Sequence, residues 1–132
     1  MDKRRVYFFD DDADFLTTLN YAVEHPSCEI HTCLVENGYR TIDDIIRLKP
    51  NILFIDFHLP QANGGQIIPI LKAIAGFANV PIYIISGYPK ESIEPFLKGV
   101  KCEGIIPKDE FFTRSILNIL NQVVPPPEVS SN

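Results

Sequence analysis

Short apolar runs alternate with amphipathic segments along this chain. Arg5 to Phe9 (RVYFF) is apolar and ends abruptly in acid, and its length and its aromatic and β-branched content predict a buried strand. Glu29 to Cys33 (EIHTC), Ile52 to Ile55 (ILFI), Ile82 to Ile85 (IYII) and Gly104 to Ile106 (GII) repeat that character, EIHTC most weakly. Between them apolar residues recur at helical spacing: Phe15, Leu16, Leu19 and Val23; Ile42, Ile45, Ile46 and Leu48; Ile67, Ile68, Leu71 and Ile74. Ile93, Phe96 and Leu97, and then Ile116, Leu117, Ile119, Leu120 and Val123, supply two more such segments. Pro69 is expected near the start of the third helix and Pro95 in the first turn of the fourth, where a missing N–H does little harm. Strands alternating with helices in this way predict a doubly wound α/β fold. Parallel neighbours need crossovers, and the crossovers supply helices that cover both faces of the sheet. One domain over residues 1–124 accounts for the pattern. The Pro125-Pro126-Pro127 run that opens residues 125–132 cannot continue a helix, and it reads as a disordered tail or the stub of a linker.

Composition narrows the classes of function. At 132 residues, with 45% hydrophobic and 22% charged positions, the chain has the balance of a single globular domain. A formal net charge of −5 repels a phosphate backbone, so no nucleic acid is expected to bind this domain. No apolar stretch reaches the roughly 18 residues that a membrane span needs, and the amino terminus turns from basic to acidic, unlike a signal peptide. The cytoplasm is the expected compartment. Cys28, Cys33 and Cys102 form no CxxC pair, which leaves neutral thiols as the expectation.

The chemistry gathers where strands end. In open parallel sheets ligands bind beyond the carboxyl ends of the strands. Asp10, Asp11 and Asp12 follow the first strand, Asp56 ends the third, Ser86 and Gly87 end the fourth, and Lys108 follows the fifth. Converging carboxylates repel one another unless a cation neutralises them. Mg2+, or Mn2+ in its place, suits an all-oxygen set of two or three aspartates, with Asp11 and Asp56 as direct ligands. A carboxylate beside such a metal can act as a nucleophile towards a phosphoryl group. Transfer then depends on neutralising charge over three equatorial oxygens, a task for the metal, the Lys108 ammonium and the Ser86 hydroxyl. Each piece also has a plainer reading: Asp12 or Asp14 suits the cap of the first helix, Ser86-Gly87 a turn, and Lys108 a solvated charge. Asp56 resists that reading, because it closes a run as apolar as ILFI, where an unpaired charge is costly.

Together, FFDDDADFL, ILFIDFHLPQANG, PIYIISG and GIIPKDEF resemble the receiver domains of response regulators in two-component signalling, over about residues 4–123. The resemblance implies a flavodoxin-like strand order of 2-1-3-4-5. It implies Asp56 as phosphoacceptor, Asp11 as direct metal ligand, Asp10 as holder of a metal-bound water, and the backbone carbonyl of His58 as a further ligand. Ser86 then matches the switch hydroxyl and Lys108 the lysine that meets the phosphoryl oxygens. The implied phosphodonor is a histidine kinase or a phosphotransfer protein, with the receiver itself catalysing its phosphorylation and dephosphorylation. Modification would alter the face formed by the fourth helix, fifth strand and fifth helix, where a downstream protein or a second copy would bind.

The chain also departs from the family pattern. The lysine is usually followed by proline, often through a cis bond; here Asp109 follows Lys108. The Lys-Asp bond is expected to be trans, since a non-proline cis bond costs about 2.5–4 kcal/mol. Ile105 replaces the usual switch aromatic. Tyr88 and His58 stand two residues past Ser86 and Asp56, at places that tune phosphoryl lifetime in the family, and Tyr88 is expected to restrict attacking water. Ile105 and Asp109 motivate a competing reading, a receiver-like interaction module that works without phosphorylation. An aspartate-nucleophile phosphohydrolase is disfavoured, because it needs a second acid where this chain has His58. His25 and His31 are expected at the surface.

Overall fold

The computed structural model describes residues 3–123. Five strands, β1 (Arg4–Asp10), β2 (Cys28–Leu34), β3 (Ile52–Asp56), β6 (Ile82–Ser86) and β7 (Gly104–Pro107), form one parallel sheet in the order β2-β1-β3-β6-β7. Counting only these five, that is the expected order 2-1-3-4-5. Helices α1 (Ala13–Ala22), α2 (Gly38–Leu48), α3 (Gly64–Lys72) and α4 (Lys90–Ile93) fill the four crossovers, and α5 (Phe112–Val123) follows the last strand. Alternate residues of each strand face opposite sides. Tyr7, Phe9, Leu53, Ile55, Ile82 and Ile84 pack against α2, α3 and α4, through residues such as Ile45, Ile68 and Ile93. Val6, Phe8, Ile52, Phe54 and Ile85 pack against α1 and α5, through Leu16, Leu19, Ile116 and Leu120. Both faces of the sheet are therefore core, which is why the inner strands β1, β3 and β6 read as continuous apolar runs, whereas the edge strand β2, half-buried along most of its length, reads as the mixed CEIHTCL.

Local differences from the sequence expectation have physical causes. Helix α4 is a single turn, continued only by a 3-10 turn over Glu94–Leu97. Pro95 cannot donate to the carbonyl four residues back, so the α-helical ladder stops there and the chain tightens. Pro69 lies inside α3 rather than near its start, because Asn63 and Gln66 form a capping box that begins the helix at Gly64. Two short strands, β4 (His58–Leu59) and β5 (Ala62–Asn63), pair as an antiparallel hairpin that the apolar pattern does not announce. Its turn places Gln61 at φ 67.

The hairpin is tied to the start of α2. The Gly38 N–H donates to the Pro60 carbonyl at 2.8 Å, and the Asn37 amide donates to Gln61 Oε1 at 2.9 Å. A Cβ at position 38 would stand 2.9 Å from the Ala62 Cβ and 3.1 Å from the Pro60 oxygen, so only glycine admits this approach.

His25, expected at the surface, is buried. Its Nδ1 accepts from the Ser27 N–H and its Nε2 lies 3.0 Å from Asn121 Oδ1, pinning the α1–β2 loop to α5. His31 is half-buried, stacked on Tyr7 and 3.1 Å from Glu29. The three thiols are free, and burial is the main influence pushing each above the usual cysteine range. They are neutral at pH 7, as expected. The expected tail, residues 125–132, lies outside the described residues. No helix among the described residues is long and apolar enough to cross a membrane.

Candidate functional site

The strand order reverses between β1 and β3, so the crossovers leaving their carboxyl ends run to opposite faces and open a crevice there. β1 delivers Asp10 and β3 delivers Asp56 to that crevice. Asp10 is 0% exposed and Asp56 5%. Asp11, on the loop between β1 and α1, is exposed, yet its carboxylate converges with the other two: one oxygen from each of Asp10, Asp11 and Asp56 lies within 4.8 Å of the others. Asp12 takes the plainer role foreseen for it. Its side chain caps α1 by accepting from the Phe15 N–H at 3.1 Å, and its own N–H donates to Asp10 Oδ1 at 2.9 Å.

Lys108 follows β7, the edge strand, and reaches back across the crevice. Its Nζ is 2.6 Å from Asp10 Oδ2 and 3.4 Å from Asp56 Oδ2. Burial is the largest influence on this ammonium and lowers its pKa, but Asp10 and Asp56 together outweigh it, so Lys108 is held above its usual range. Asp56 moves the other way from a simple ion pair. Burial first, then the Asp10 charge, push its pKa from 3.8 up to about 7 against the opposing pull of Lys108. One cation does not neutralise this cluster of acids.

Ser86 is completely buried at the end of β6, and its Oγ accepts from the Tyr88 N–H at 2.9 Å. Tyr88 is 59% exposed, and its ring meets the His58 imidazole edge-on with centroids 4.5 Å apart. The His58 N–H faces Asp56 Oδ1 at 3.4 Å. The imidazole is not among the groups that converge as metal donors; the described residues bring together only carboxylates. Ile105 lies on β7 opposite Ile84 and packs against the core that covers α2 and α3. Asp109 accepts from the Phe111 and Phe112 N–H groups, through side chain and carbonyl respectively, and so opens α5. No peptide bond among the described residues is cis, the Lys108–Asp109 bond included.

The donor set fits a hard divalent cation. It consists of carboxylate oxygens alone, and Asp10 Oδ2 is fully buried with no hydrogen bond, held only by the charge of Lys108. Sequence reasoning missed one neighbour of this group: Phe15, read as a core position of the first helix, places its ring centroid 4.4 Å from Lys108 Nζ. The signal was its position, three residues past Asp12 and so within the first turn of α1, from which a side chain can lean back over the strand ends.

Comparison with known proteins shows the family and the fold. The family model described as response regulator receiver domain matches residues 6–120. Protein PilG of Pseudomonas aeruginosa is 24% identical over 113 residues, spanning 86% of this chain and 78% of that one. Among solved structures, the chemotaxis response regulator CheY4 of Vibrio cholerae is similar with a TM-score of 0.76 at 16% identity, over 92% of this chain and 99% of that one. The receiver domain of the sensor histidine kinase PA1611 of Pseudomonas aeruginosa, with a magnesium ion coordinated in its active-site cleft, gives a TM-score of 0.76 at 15% identity, over 91% and 96%.

Proposed function

The chain belongs to the response regulator receiver domain family, and from that premise we propose that Asp56 is its phosphoacceptor and that phosphorylation there, assisted by Mg2+ or Mn2+, switches binding to a downstream protein. One observation carries the reading: three carboxylates converge within 4.8 Å at the strand ends, and a single ammonium stands among them. Asp11 and Asp56 would hold the metal directly, Asp10 through a bound water, and His58 through its backbone carbonyl. The metal, when bound, supplies positive charge that keeps Asp56 ionised and offsets charge on the incoming phosphoryl group.

The protein's own residues do the rest. A carboxylate oxygen of Asp56 attacks phosphorus in line, forming a P–O bond as the P–N bond of a phosphohistidine breaks. The phosphohistidine belongs to a histidine kinase or a phosphotransfer protein. Lys108, now nearer Asp10 than Asp56, donates to the new phosphoryl oxygens. The Ser86 hydroxyl hydrogen is not used by its bond with Tyr88, in which Oγ is the acceptor, so it too can be donated. Drawing Ser86 inward would disturb the Tyr88 backbone and bias the face formed by α4, β7 and α5, where a partner or a second copy would bind. Tyr88, resting on His58 at the mouth of the crevice, would slow the attack of water on the acyl phosphate.

Ile105 favours one competing reading, a phosphorylation-independent interaction module, since β7 offers no aromatic ring at that position. Incubation with Mg2+ and acetyl phosphate separates the two. Hydroxylamine-labile phosphate should appear on the wild type and not on Asp56→Asn; a wild type that takes up none, and whose spectra do not change with beryllofluoride, removes the phosphoacceptor reading. In a Tyr88→Ala variant the phosphoryl lifetime should fall, and an unchanged lifetime counts against the shielding role.

A further inference from the structure

The ammonium of Lys108 meets three surfaces: Asp10 Oδ2 at 2.6 Å, Asp56 Oδ2 at 3.4 Å and the Phe15 ring with its centroid at 4.4 Å. An aromatic face is not equivalent to a third oxygen. It attracts the cation through the ring quadrupole. It occupies none of the three N–H bonds in the way a lone pair would, so these remain available to oxygens around Asp56.

The ring is itself placed by the site. The Phe15 N–H is held by the Asp12 side chain, and the Asp12 N–H by Asp10 Oδ1. The carboxylate that attracts the ammonium therefore also sets the backbone that carries the ring. On its other side Phe15 meets Phe112 edge to face, with centroids 5.1 Å apart and planes at 71°. Phe112 is the first residue of α5, buried between α1 and α5, and its N–H is fixed by the Asp109 carbonyl at 3.1 Å. Asp109 is the residue that departs from the family's proline, and Ile105 is the position that lacks the family's ring.

We infer that Phe15 is a positioning residue for the Lys108 ammonium and that, through Phe112, it ties the place of that ammonium to the first turn of α5. When Lys108 shifts from Asp10 towards an occupied Asp56, the cation slides across the Phe15 face and the ring follows it. Phe112 then feels the change without any part played by Ile105. The relay, though not the resting contact, rests on the phosphoacceptor reading, and two measurements separate them.

The first uses the metal-free chain of residues 1–132. Ring current from Phe15 should displace the NMR signals of the Lys108 ε-methylene upfield. Phe15→Leu, which keeps apolar bulk without a π face, should lose that displacement, and Phe15→Tyr should retain it. An unchanged ε-methylene shift in Phe15→Leu overturns the positioning role, whatever happens at Asp56.

The second adds Mg2+ and beryllofluoride. Affinity should fall about 3- to 10-fold in Phe15→Leu and stay within about 2-fold in Phe15→Tyr, the range a single cation–π contact supports. Phe112 ring signals should move on binding in the wild type and Phe15→Tyr but not in Phe15→Leu. Equal affinities and equal Phe112 responses in all three proteins overturn the relay. A wild type that fails to bind beryllofluoride defeats the phosphoacceptor reading and the relay with it, while the first measurement still decides whether Phe15 holds Lys108.

Discussion

Asp56 sits where burial and a neighbouring acid both oppose its charge, and its pKa rises from 3.8 to about 7. A carboxyl whose folded pKa is raised holds its proton more tightly in the folded state than in the unfolded one. Its contribution to stability is full below about pH 4, declines as pH rises towards 7, and is lost above. In metal-free buffer, Asp56→Asn keeps the shape and removes the charge, so the variant should be more stable than the wild type at pH 8. The gain should be on the order of 1–3 kcal/mol, less than the shift alone would give because Lys108 loses a partner. It should shrink towards pH 5, and denaturant melts at the two pH values read it directly. A variant equally stabilised at both would mean that Asp56 carries no such strain. At this scale the sequence was a good guide wherever an acid closes an apolar run, as Asp10 and Asp56 do. It was a poor guide for groups whose role depends on tertiary neighbours: His25 is buried because Asn121, far along the chain, receives it, and no local pattern reveals that.

The elements around the site owe their precision to contacts between loops more than to propensity. The hairpin of β4 and β5 carries His58 and is fixed from outside by Asn37 and Gly38 at the start of α2. Gly38→Ala forces a Cβ to 2.9 Å from Ala62 and 3.1 Å from a backbone oxygen. The backbone must shift, at a cost of about 1–3 kcal/mol. Because the hairpin moves with it, Mg2+ affinity should fall as well. Asp12→Ala makes the useful contrast: loss of the α1 cap should cost about 1 kcal/mol with a smaller effect on the metal, and thermal melts paired with Mg2+ titrations would separate the two. A Gly38→Ala protein that binds Mg2+ as the wild type does would show that the hairpin is not held from α2. The three inner strands, β1, β3 and β6, were legible because they are buried on both faces and spell nearly unbroken apolar runs; the edge strands β2 and β7, only partly buried, gave the weaker EIHTC and GII. The hairpin was not legible, since two-residue strands are too short to show a period. The fourth helix was over-read for a related reason: Ile93, Phe96 and Leu97 keep helical spacing, yet Pro95 withdraws the donor that the spacing assumes.

For the whole molecule, the site is a joint between the two cores. Asp56 belongs to β3, the central strand shared by both, Asp10 to its neighbour β1, and Lys108 arrives from the edge of the sheet, so a ligand gripping all three binds the folded chain and not the unfolded one. Such a ligand stabilises in proportion to RT ln(1 + [L]/Kd), about 2.7 kcal/mol at a hundredfold excess over Kd. A metal must displace the proton that Asp56 holds up to about pH 7. Below that value its apparent affinity should fall by up to tenfold per pH unit, and above it the dependence should level off. The rise in Tm caused by a fixed Mg2+ concentration should therefore be small at pH 5.5 and several-fold larger at pH 8. It should disappear in Asp56→Asn, which has neither the proton to displace nor the charge to offer. Mg2+ increments that match at both pH values would place the metal away from Asp56. An increment that survives in Asp56→Asn with its pH dependence intact would assign the titrating group to another carboxylate of the cluster.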